Sequence, residues 1–324
     1  MKLVTYQADG GPSLGALLPG GRVLDLAAAS QRLGGGGPAF ASMQALIDAG
    51  DAAWAEARAT IERAPEEALA KAGVQLLSPL PRPVRLRDCS LFLEHMEKAL
   101  GKMARDLADA EPDPVAAHKT LMASGRYDLK PIFKKQVIYY SANHLAVSGP
   151  DVDIVWPSYS DWIDYELEWA CVVGRTATDV THANARDHIF GLTIFNDWSA
   201  RDVQLPIMEA WLGPGEGKDF NNGYGLGPCI ATLDEFDDPY NLTMTAKING
   251  EEWSRGSTSS MHHSFEDAIV QFSREKVLHA GEVIGSGTVL SGCGFELGRR
   301  LSANDLVELE IEGIGILRNR VVRR

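Results

Sequence analysis

Residues 164–173 read DYELEWACVV, a stretch that starts acidic and ends apolar. Side chains alternate across a strand, so Glu166 and Glu168 leave the same face about 6.8 Å apart along the chain, at roughly 3.4 Å per residue. The ACVV end is typical of an interior strand, where two unpaired carboxylates would be costly. The stretch predicts either two carboxylates bridged by one cation or, on this pair alone, an exposed acidic strand face.

Short runs of strand-forming residues lie on both sides of this stretch, and each run is bounded by Gly, Pro, Asn or Asp. Asn249-Gly250, between TMTAKI and EEWSR, is a strong signal for a two-residue hairpin. So many strands with few helices between them predict an α+β protein that is mostly β, with a mixed or antiparallel sheet arrangement rather than a βαβ repeat. The predicted strands are residues 137–140, 165–173, 189–196, 229–232, 242–248, 282–285 and 306–311.

A proline-rich linker is predicted to divide the chain. Residues 1–78 form a small N-terminal domain, with short strands first and then two helices within 39–72. Residues 79–83 read PLPRP, a sequence that resists both helix and strand. The larger domain is predicted to cover 84–324, with a helix near 94–109 ahead of the strand-rich region.

Composition excludes several classes of protein. The 31 Lys and Arg residues against 44 Asp and Glu give a net charge of −13, which would repel nucleic acid. The sequence contains neither an apolar stretch of membrane-spanning length nor the apolar core of a secretory signal, so no membrane partner and a cytoplasmic location are predicted. The four cysteines lie far apart without a C-x-x-C pair, which argues against a zinc cluster or a dense disulfide framework. GPGEGK at 213–218 lacks the first glycine and the final Ser or Thr of a phosphate-binding loop, so no nucleotide or organic cofactor is predicted.

Two further segments carry polar groups that could act together with the acidic strand. Residues 196–204 read NDWSARDVQ, which places Asp197 at the end of a predicted strand. Arg201 and Gln204 follow it three apart, on one side of a helical turn. Alone, this segment could equally be a helix N-cap with a surface salt bridge. Residues 88–95, DCSLFLEH, hold an Asp and a His seven apart, and a lone His is usually structural or exposed.

Together these motifs resemble the fumarylacetoacetate hydrolase family. The similarity runs from about Arg87 to the C-terminus, and its strongest features are the E-x-E of DYELEW, NDWSARDVQ, the lysine in GKDF followed by LGPCI, and SGTVLSG. The Asp and His ahead of the E-x-E are similar to those of the fumarylacetoacetase-like subgroup. The resemblance implies a small N-terminal β-containing domain and a larger C-terminal mixed β-roll that carries the active site.

The resemblance also implies a role for each matching residue. The implied ligands of a divalent cation are Asp88, Glu166, Glu168 and Asp197. The implied catalytic residues are His95, the carboxylate Glu296 that orients it, and Lys218 as an oxyanion donor. The implied substrate-binding residues are Arg201, Gln204, Thr288 and either Tyr139 or Tyr140. A site of four carboxylates suits Mg²⁺ best, with Ca²⁺ or Mn²⁺ as alternatives, and disfavours Zn²⁺.

The implied activity is the metal-dependent hydrolysis of a carbon–carbon bond in a 1,3-dicarbonyl substrate such as fumarylacetoacetate or an acylpyruvate, a reaction of aromatic catabolism. In it His95 would activate a water, and the metal would stabilise the departing enolate. The same platform also allows a 2-oxo acid lyase or isomerase, such as a decarboxylase, dehydratase or tautomerase. A noncatalytic metal-stabilised binding protein is the remaining alternative. The resemblance further implies a homodimer, while the unusual segments 205–217 and 292–296 leave the substrate open.

Overall fold

A computed structural model describes residues 1–323 of the chain. Helices account for 32% of the residues and strands for 30%. The predicted mixture of α and β structure is confirmed, although helices contribute as much as strands and more than a mostly β protein would contain. None of the helices in the described range is long and apolar enough to cross a membrane. The cytoplasmic location stays a prediction.

The strands and helices are numbered in chain order. The strands are β1 (Lys2–Ala8), β2 (Gly11–Leu18), β3 (Arg22–Asp25), β4 (Arg85–Cys89), β5 (Tyr139–Ala142), β6 (Val147–Ser148), β7 (Asp153–Val155), β8 (Ile163–Asp164), β9 (Leu167–Val173), β10 (Ile189–Asp197), β11 (Ser199–Ala200), β12 (Tyr224–Ala231), β13 (Thr243–Ile248), β14 (Glu251–Ser257), β15 (Glu282–Gly285), β16 (Leu306–Ile311) and β17 (Gly315–Val322). The α-helices are α1 (Leu26–Arg32), α2 (Met43–Ala49), α3 (Asp51–Arg63), α4 (Leu93–Asp109), α5 (Pro114–Ala123), α6 (Arg201–Met208), α7 (Phe265–Ser273) and α8 (Gly294–Leu297).

Each predicted strand overlaps an observed one, and the predicted helix near 94–109 is α4. The hairpin signal is confirmed, because Asn249 and Gly250 join β13 to β14 with φ of 52° and 83°. Two α-helices, α2 and α3, lie within 39–72 as predicted, and they are separated at Gly50, where φ is 72°. Helices α1, α5, α6, α7 and α8 were not among the predicted elements, although Arg201 to Gln204 were expected to form a helical turn.

The largest sheet has the strand order β3-β2-β1-β12-β10-β9-β15-β4-β5, with β6 added to β12. Its pairs are antiparallel except β15 with β4 and β12 with β6. The N-terminal strands therefore continue the sheet of the larger region through the pairing of β1 with β12. The division into a domain over 1–78, a linker over 79–83 and a domain over 84–324 stays a prediction.

A second sheet, in the order β14-β13-β16-β17-β7, encloses the main core together with the first. Trp169 of β9 and Trp198 after β10 are fully buried in that core. Leu309 of β16 and Leu317 of β17 belong to the same cluster. Strands β4, β15, β9 and β10 lie side by side in the first sheet, so residues far apart in sequence meet at one end of them.

Candidate active site

Three of the four predicted metal ligands form one buried cluster. Asp88 on β4, Glu168 on β9 and Asp197 at the end of β10 each offer a carboxylate oxygen, and these oxygens lie within 4.8 Å of one another. The sheet register explains the convergence. Gly285 of β15 pairs with Asp88 of β4 on one side and with Ala170 of β9, two residues after Glu168, on the other. Three strands that are distant in sequence therefore build one patch of negative charge.

The cluster has the electrostatic character of a cation site. Burial, and then the nearby Asp197, raise the pKa of the Asp88 carboxyl well above its ordinary value. Burial and then Asp88 do the same to the pKa of Glu168. Within residues 1–323, Oδ1 of Asp88 and Oδ1 of Asp197 are buried and accept no hydrogen bond. Buried carboxylate oxygens that accept no hydrogen bond, in a cluster whose three candidate ligands are all carboxylates, fit a hard divalent cation such as Mg²⁺, Mn²⁺ or Ca²⁺.

Glu166, the fourth predicted ligand, lies on the same cavity but pairs with cationic side chains. Its carboxylate is 2.5 Å from Nζ of Lys218 and 2.8 Å from Nη2 of Arg201. Burial alone would raise the pKa of Glu166, but Lys218 and Arg201 outweigh burial and hold the pKa at about 2. The E-x-E strand thus presents both carboxylates to one cavity, as its alternation predicts, while the ligand role of Glu166 stays a prediction.

Lys218 and Arg201 are buried and tied to carboxylates. Lys218 lies just after a short 3₁₀ turn, and its ammonium contacts Glu166 and, at 2.6 Å, Asp197. Arg201, the first residue of α6, donates through Nη1 to Oε1 of Gln204 at 2.9 Å. Arg201, Gln204 and Lys218 all line the cavity, so the predicted oxyanion donor and substrate-binding groups are brought to the carboxylate cluster.

Asp164 also belongs to the site, although the sequence motif that contains it, DYELEW, suggested no role for this residue. It is fully buried, and its carboxylate accepts hydrogen bonds from Nε of Arg201 at 3.0 Å and from the backbone N–H groups of Gly294 and Phe295 at 2.9 Å each. Asp164 therefore fixes the guanidinium of Arg201 and joins it to the segment that carries Glu296. The available signal was an acidic residue directly before an interior strand in DYELEW, where burial without a partner would be costly.

His95 and Glu296 form the predicted pair. His95, near the start of α4, has Nδ1 2.5 Å from Oε1 of Glu296 on α8. The Glu296 side chain is fully buried, and its other oxygen accepts from the N–H of Ser291 at 2.9 Å. Because a carboxylate accepts the hydrogen on Nδ1, Nε2 of His95 is left as a proton acceptor. His95 lines the same cavity as Asp88 and Glu168.

The structure separates the two candidate tyrosines. Tyr140 lines the cavity and donates its hydroxyl to Oδ2 of Asp197 at 2.7 Å. Tyr139 is directed away from the cluster and packs edge-to-face on Phe272, with ring centroids 4.7 Å apart. Adjacent residues of a strand point to opposite faces, so only one of the pair can reach the cluster. Of the two predicted substrate contacts, Tyr140 is brought to the site and Tyr139 is not.

Thr288 and the glycine before it hold Glu168 from the side of β15. Thr288 donates its hydroxyl to Oε1 of Glu168 at 3.2 Å, and the N–H of Gly287 donates to Oε2 at 2.9 Å. Gly287 has φ of 77°, and a Cβ there would lie 2.2 Å from the carbonyl oxygen of Cys89. Only glycine fits at this position of SGTVLSG, because the backbone of residue 287 lies against both Glu168 and the segment after Asp88 and leaves no room for a side chain.

The cavity between these groups measures about 170 Å³. Its polar lining consists of the carboxylates, His95, the two cations and neighbouring polar groups. Its apolar lining includes Met96, Ala99, Leu100 and Met103 of α4 and Leu205 and Met208 of α6.

Comparison with known proteins gives the family. The family model for the fumarylacetoacetate (FAA) hydrolase C-terminal region matches residues 115–322. A mitochondrial oxaloacetate tautomerase of Homo sapiens is 34% identical over 193 residues, which are 58% of this chain and 60% of that protein. The chain therefore matches about three fifths of that relative's length. The oxaloacetate tautomerase of Bacillus subtilis is 27% identical over 330 residues, covering 99% of this chain and 100% of its own.

A solved structure supports the same relationship across the whole fold. The fumarylacetoacetate hydrolase of Exiguobacterium antarcticum superposes with a TM-score of 0.73 at 25% identity, with 100% of each chain covered. Because the family model alone spans well over half of the residues, the chain belongs to the fumarylacetoacetate hydrolase family.

Proposed function

We propose that the protein is a metal-dependent enzyme that moves a proton at carbon 3 of a 2-oxo acid, interconverting the keto and enol forms. The observation that carries this proposal is the position of His95, oriented by Glu296, on the same cavity as the carboxylates of Asp88 and Glu168. A base and a cation site on one small cavity are the two parts that enolisation next to a carbonyl needs.

In this proposal His95 is the proton carrier. Its Nε2 takes the proton from carbon 3 as the carbon–hydrogen bond breaks, and returns a proton to the 2-oxygen to complete the enol. Glu296 holds the imidazole in the tautomer with hydrogen on Nδ1 and stabilises the imidazolium that forms. The buried position of Glu296 keeps water from competing for that hydrogen bond.

The carboxylate cluster would hold the divalent cation, with Asp88, Glu168 and Asp197 as the ligands that the geometry favours and Glu166 as the fourth. A cation bound there supplies positive charge that stabilises an enolate. Thr288 and Tyr140 orient Glu168 and Asp197 through their hydroxyl groups. Mg²⁺ is the metal that we propose, because all the candidate donors are carboxylate oxygens.

Two observations favour proton transfer over hydrolysis as the first candidate. Relatives from human and Bacillus subtilis carry the name oxaloacetate tautomerase, and the latter is similar over nearly the whole chain. In addition, the ammonium of Lys218, the expected oxyanion donor, already contacts two carboxylates at 2.5 and 2.6 Å. Proton transfer by His95 requires no such donor.

Hydrolysis of a carbon–carbon bond is the second candidate, and Gln204 favours it. The amide oxygen of Gln204 accepts from Arg201, which leaves its amide N–H groups as donors at the cavity. Such a donor could stabilise the oxyanion that forms when water attacks a distal carbonyl. The Exiguobacterium antarcticum relative carries the name of a hydrolase.

The test uses the full chain with Mg²⁺ and a panel of 2-oxo and 2,4-dioxo acids in D₂O. Proton NMR should show metal-dependent exchange of the carbon 3 hydrogen, and His95→Ala should abolish most of it. His188→Ala is the matched control, because His188 is half-buried but bonds to the carbonyl of Arg175 instead. Incorporation of ¹⁸O from water into an acid product would instead support hydrolysis. Absence of both exchange and cleavage across the panel would refute the proposal.

A further inference from the structure

A second group of potential metal ligands lies beside the carboxylate cluster. His95, Cys293 and Glu296 each offer one ligand atom, and these three atoms lie within 4.8 Å of one another. His95 is near the start of α4, while Cys293 directly precedes α8 and forms an isolated β-bridge with Glu166. The group forms only in the folded chain, so the wide spacing of the cysteines in the sequence did not indicate it.

One oxygen of Glu296 is the atom that the other two residues share. Oε1 lies 2.5 Å from Nδ1 of His95 and 3.8 Å from Sγ of Cys293. The other oxygen, Oε2, accepts from the N–H of Ser291 at 2.9 Å and lies 3.6 Å from Nζ of Lys98. These contacts hold the carboxylate in place and leave Oε1 directed at the imidazole and the thiol.

The donor atoms of this group differ from those of the carboxylate cluster. Cys293, His95 and Glu296 offer sulfur, nitrogen and oxygen, whereas Mg²⁺ prefers oxygen alone. Zn²⁺ binds Cys, His and carboxylate ligands, and a zinc site with three protein ligands keeps a fourth position for water. A thiolate and a carboxylate together carry two negative charges, which balance the charge of the ion. The group therefore favours Zn²⁺.

Small movements would bring the three donors to zinc-binding distances. Tetrahedral Zn²⁺ separates a nitrogen and an oxygen ligand by about 3.3 Å, and a sulfur and an oxygen ligand by about 3.5 Å. The observed separations are 2.5 and 3.8 Å, so the imidazole would withdraw slightly from Glu296 and the thiol would approach it. The side chain of His95 is 12% exposed and lines the cavity, which gives the ion a route of entry.

We propose that His95, Cys293 and Glu296 form a second cation site, selective for Zn²⁺ over Mg²⁺, and that zinc bound there stops proton transfer at His95. Zinc replaces the thiol proton of Cys293, which leaves to solvent, and binds Nδ1 of His95. The hydrogen of the neutral imidazole then lies on Nε2, the atom that the proposed reaction needs as a proton acceptor. The metal site stands on the geometry of the group, whereas the inhibition rests on the proposed function.

The binding test uses Co²⁺ as a spectroscopic substitute for Zn²⁺. A bond between cobalt and a thiolate gives a charge-transfer absorption band in the near ultraviolet, which carboxylate and imidazole ligands do not give. The full chain is first loaded with excess Mg²⁺, so that the carboxylate cluster is occupied. Titration with Co²⁺ should then produce the band, and added Zn²⁺ should remove it by displacing cobalt.

Variants of the cysteines make the test specific. Cys293→Ser should remove the band. Cys229→Ser is the matched control and should keep it, because Cys229 is equally buried but donates to the carbonyl of Ile314 at 3.4 Å. Cys89→Ser should also keep the band, although Cys89 lines the cavity next to Asp88. Thermal unfolding of each variant checks that the fold is intact.

His95→Ala provides a second measurement that does not depend on the folding of a cysteine variant. Equilibrium dialysis in excess Mg²⁺ should show Zn²⁺ affinity falling at least about tenfold, since the loss of even an outer-shell partner of a metal ligand costs about 10- to 100-fold. His188→Ala should leave Zn²⁺ affinity unchanged, because the imidazole of His188 contacts the carbonyl of Arg175 instead. An unchanged affinity in His95→Ala would contradict the proposed ligand set.

The outcomes separate the zinc site from the proposed function. Absence of the band in the wild-type chain, or its survival in Cys293→Ser, would overturn the site. Loss of the band in Cys89→Ser alone would place the metal at the carboxylate cluster and overturn the site as well. Carbon 3 exchange that continues when zinc occupies the site would overturn the inhibition. A band that depends on Cys293, in a chain that shows no exchange with any substrate, would support the site and count against the proposed function.

Discussion

Replacing the members of the His95–Glu296 pair singly and together is the sharpest test of how the site works. His95→Ala removes the proposed base, and a positioned general base is worth about 10²- to 10⁴-fold in rate. That range corresponds to about 2.7–5.4 kcal/mol of transition-state stabilisation at 1.36 kcal/mol per tenfold. Metal affinity should remain nearly unchanged, because imidazole is not among the proposed ligands.

The contribution of Glu296 follows from its contact. Its carboxylate lies 2.5 Å from Nδ1 of His95 and is fully buried, so the hydrogen bond is charge-assisted when the imidazole is protonated. Hydrogen bonds to charged groups contribute about 1.5–3 kcal/mol, which predicts a loss of about 10- to 150-fold for Glu296→Gln. Glutamine also offers an N–H to Nδ1, which would favour the wrong tautomer.

The double variant distinguishes a working pair from two independent groups. If Glu296 acts only through His95, the double variant should be little slower than His95→Ala, whereas independent effects would multiply. The assay is the rate of carbon 3 exchange at saturating substrate, with Mg²⁺ affinity measured by calorimetry for each variant. Wild-type turnover of the best substrate by His95→Ala, or multiplied losses in the double variant, would refute the reasoning.

Four further predictions concern metal binding, stability and assembly. Glu168→Ala should abolish Mg²⁺ binding and activity together, and full metal occupancy by calorimetry would contradict the proposed ligand set. Asp164→Ala leaves the buried Arg201 with one carboxylate fewer and should lower the free energy of unfolding in urea by about 3 kcal/mol. Burial would raise the pKa of Asp267, but hydrogen bonding with Ser264 outweighs burial and holds this pKa below its ordinary 3.8. The ionised Asp267 therefore stabilises the fold at pH values above 3.8, and this stabilisation is lost as the pH falls through the folded-state pKa. Asp267→Asn should cost roughly 0.5 kcal/mol at neutral pH, and this cost should disappear below the folded-state pKa. Light scattering should give about twice the 35.1 kDa chain mass if the predicted homodimer forms, and a particle of one chain mass at micromolar concentration would contradict it.

The sequence predicted the parts of the site that local alternation determines. The E-x-E strand had to send Glu166 and Glu168 to one side, and both line the cavity. The ion pairs of Glu166 with Lys218 and Arg201 were not predictable in this way, because their partners are brought close only by the pairing of distant strands. Alternation along a strand determines which face a side chain occupies, but it does not determine which side chains from distant parts of the sequence contact it.

Two differences have local causes. The choice between Tyr139 and Tyr140 stayed open because alternation along a strand puts adjacent residues on opposite faces but does not tell which face meets the cavity. Helix α7 was missed although Ser264 and Asp267 form a capping box at its start, a signal that the sequence contains.

The pairing of β1 with β12 makes the first strands a cover for an edge of the larger sheet. Lys2 and Leu3 lie opposite Ala231 and Ile230, and every residue of β12 is buried. A cut within 79–83 would remove that cover and leave the N–H and C=O groups of an apolar strand open, which is a template for pairing between chains. We therefore expect a fragment that begins within 79–83 to aggregate through this uncovered edge instead of working as a separate catalyst.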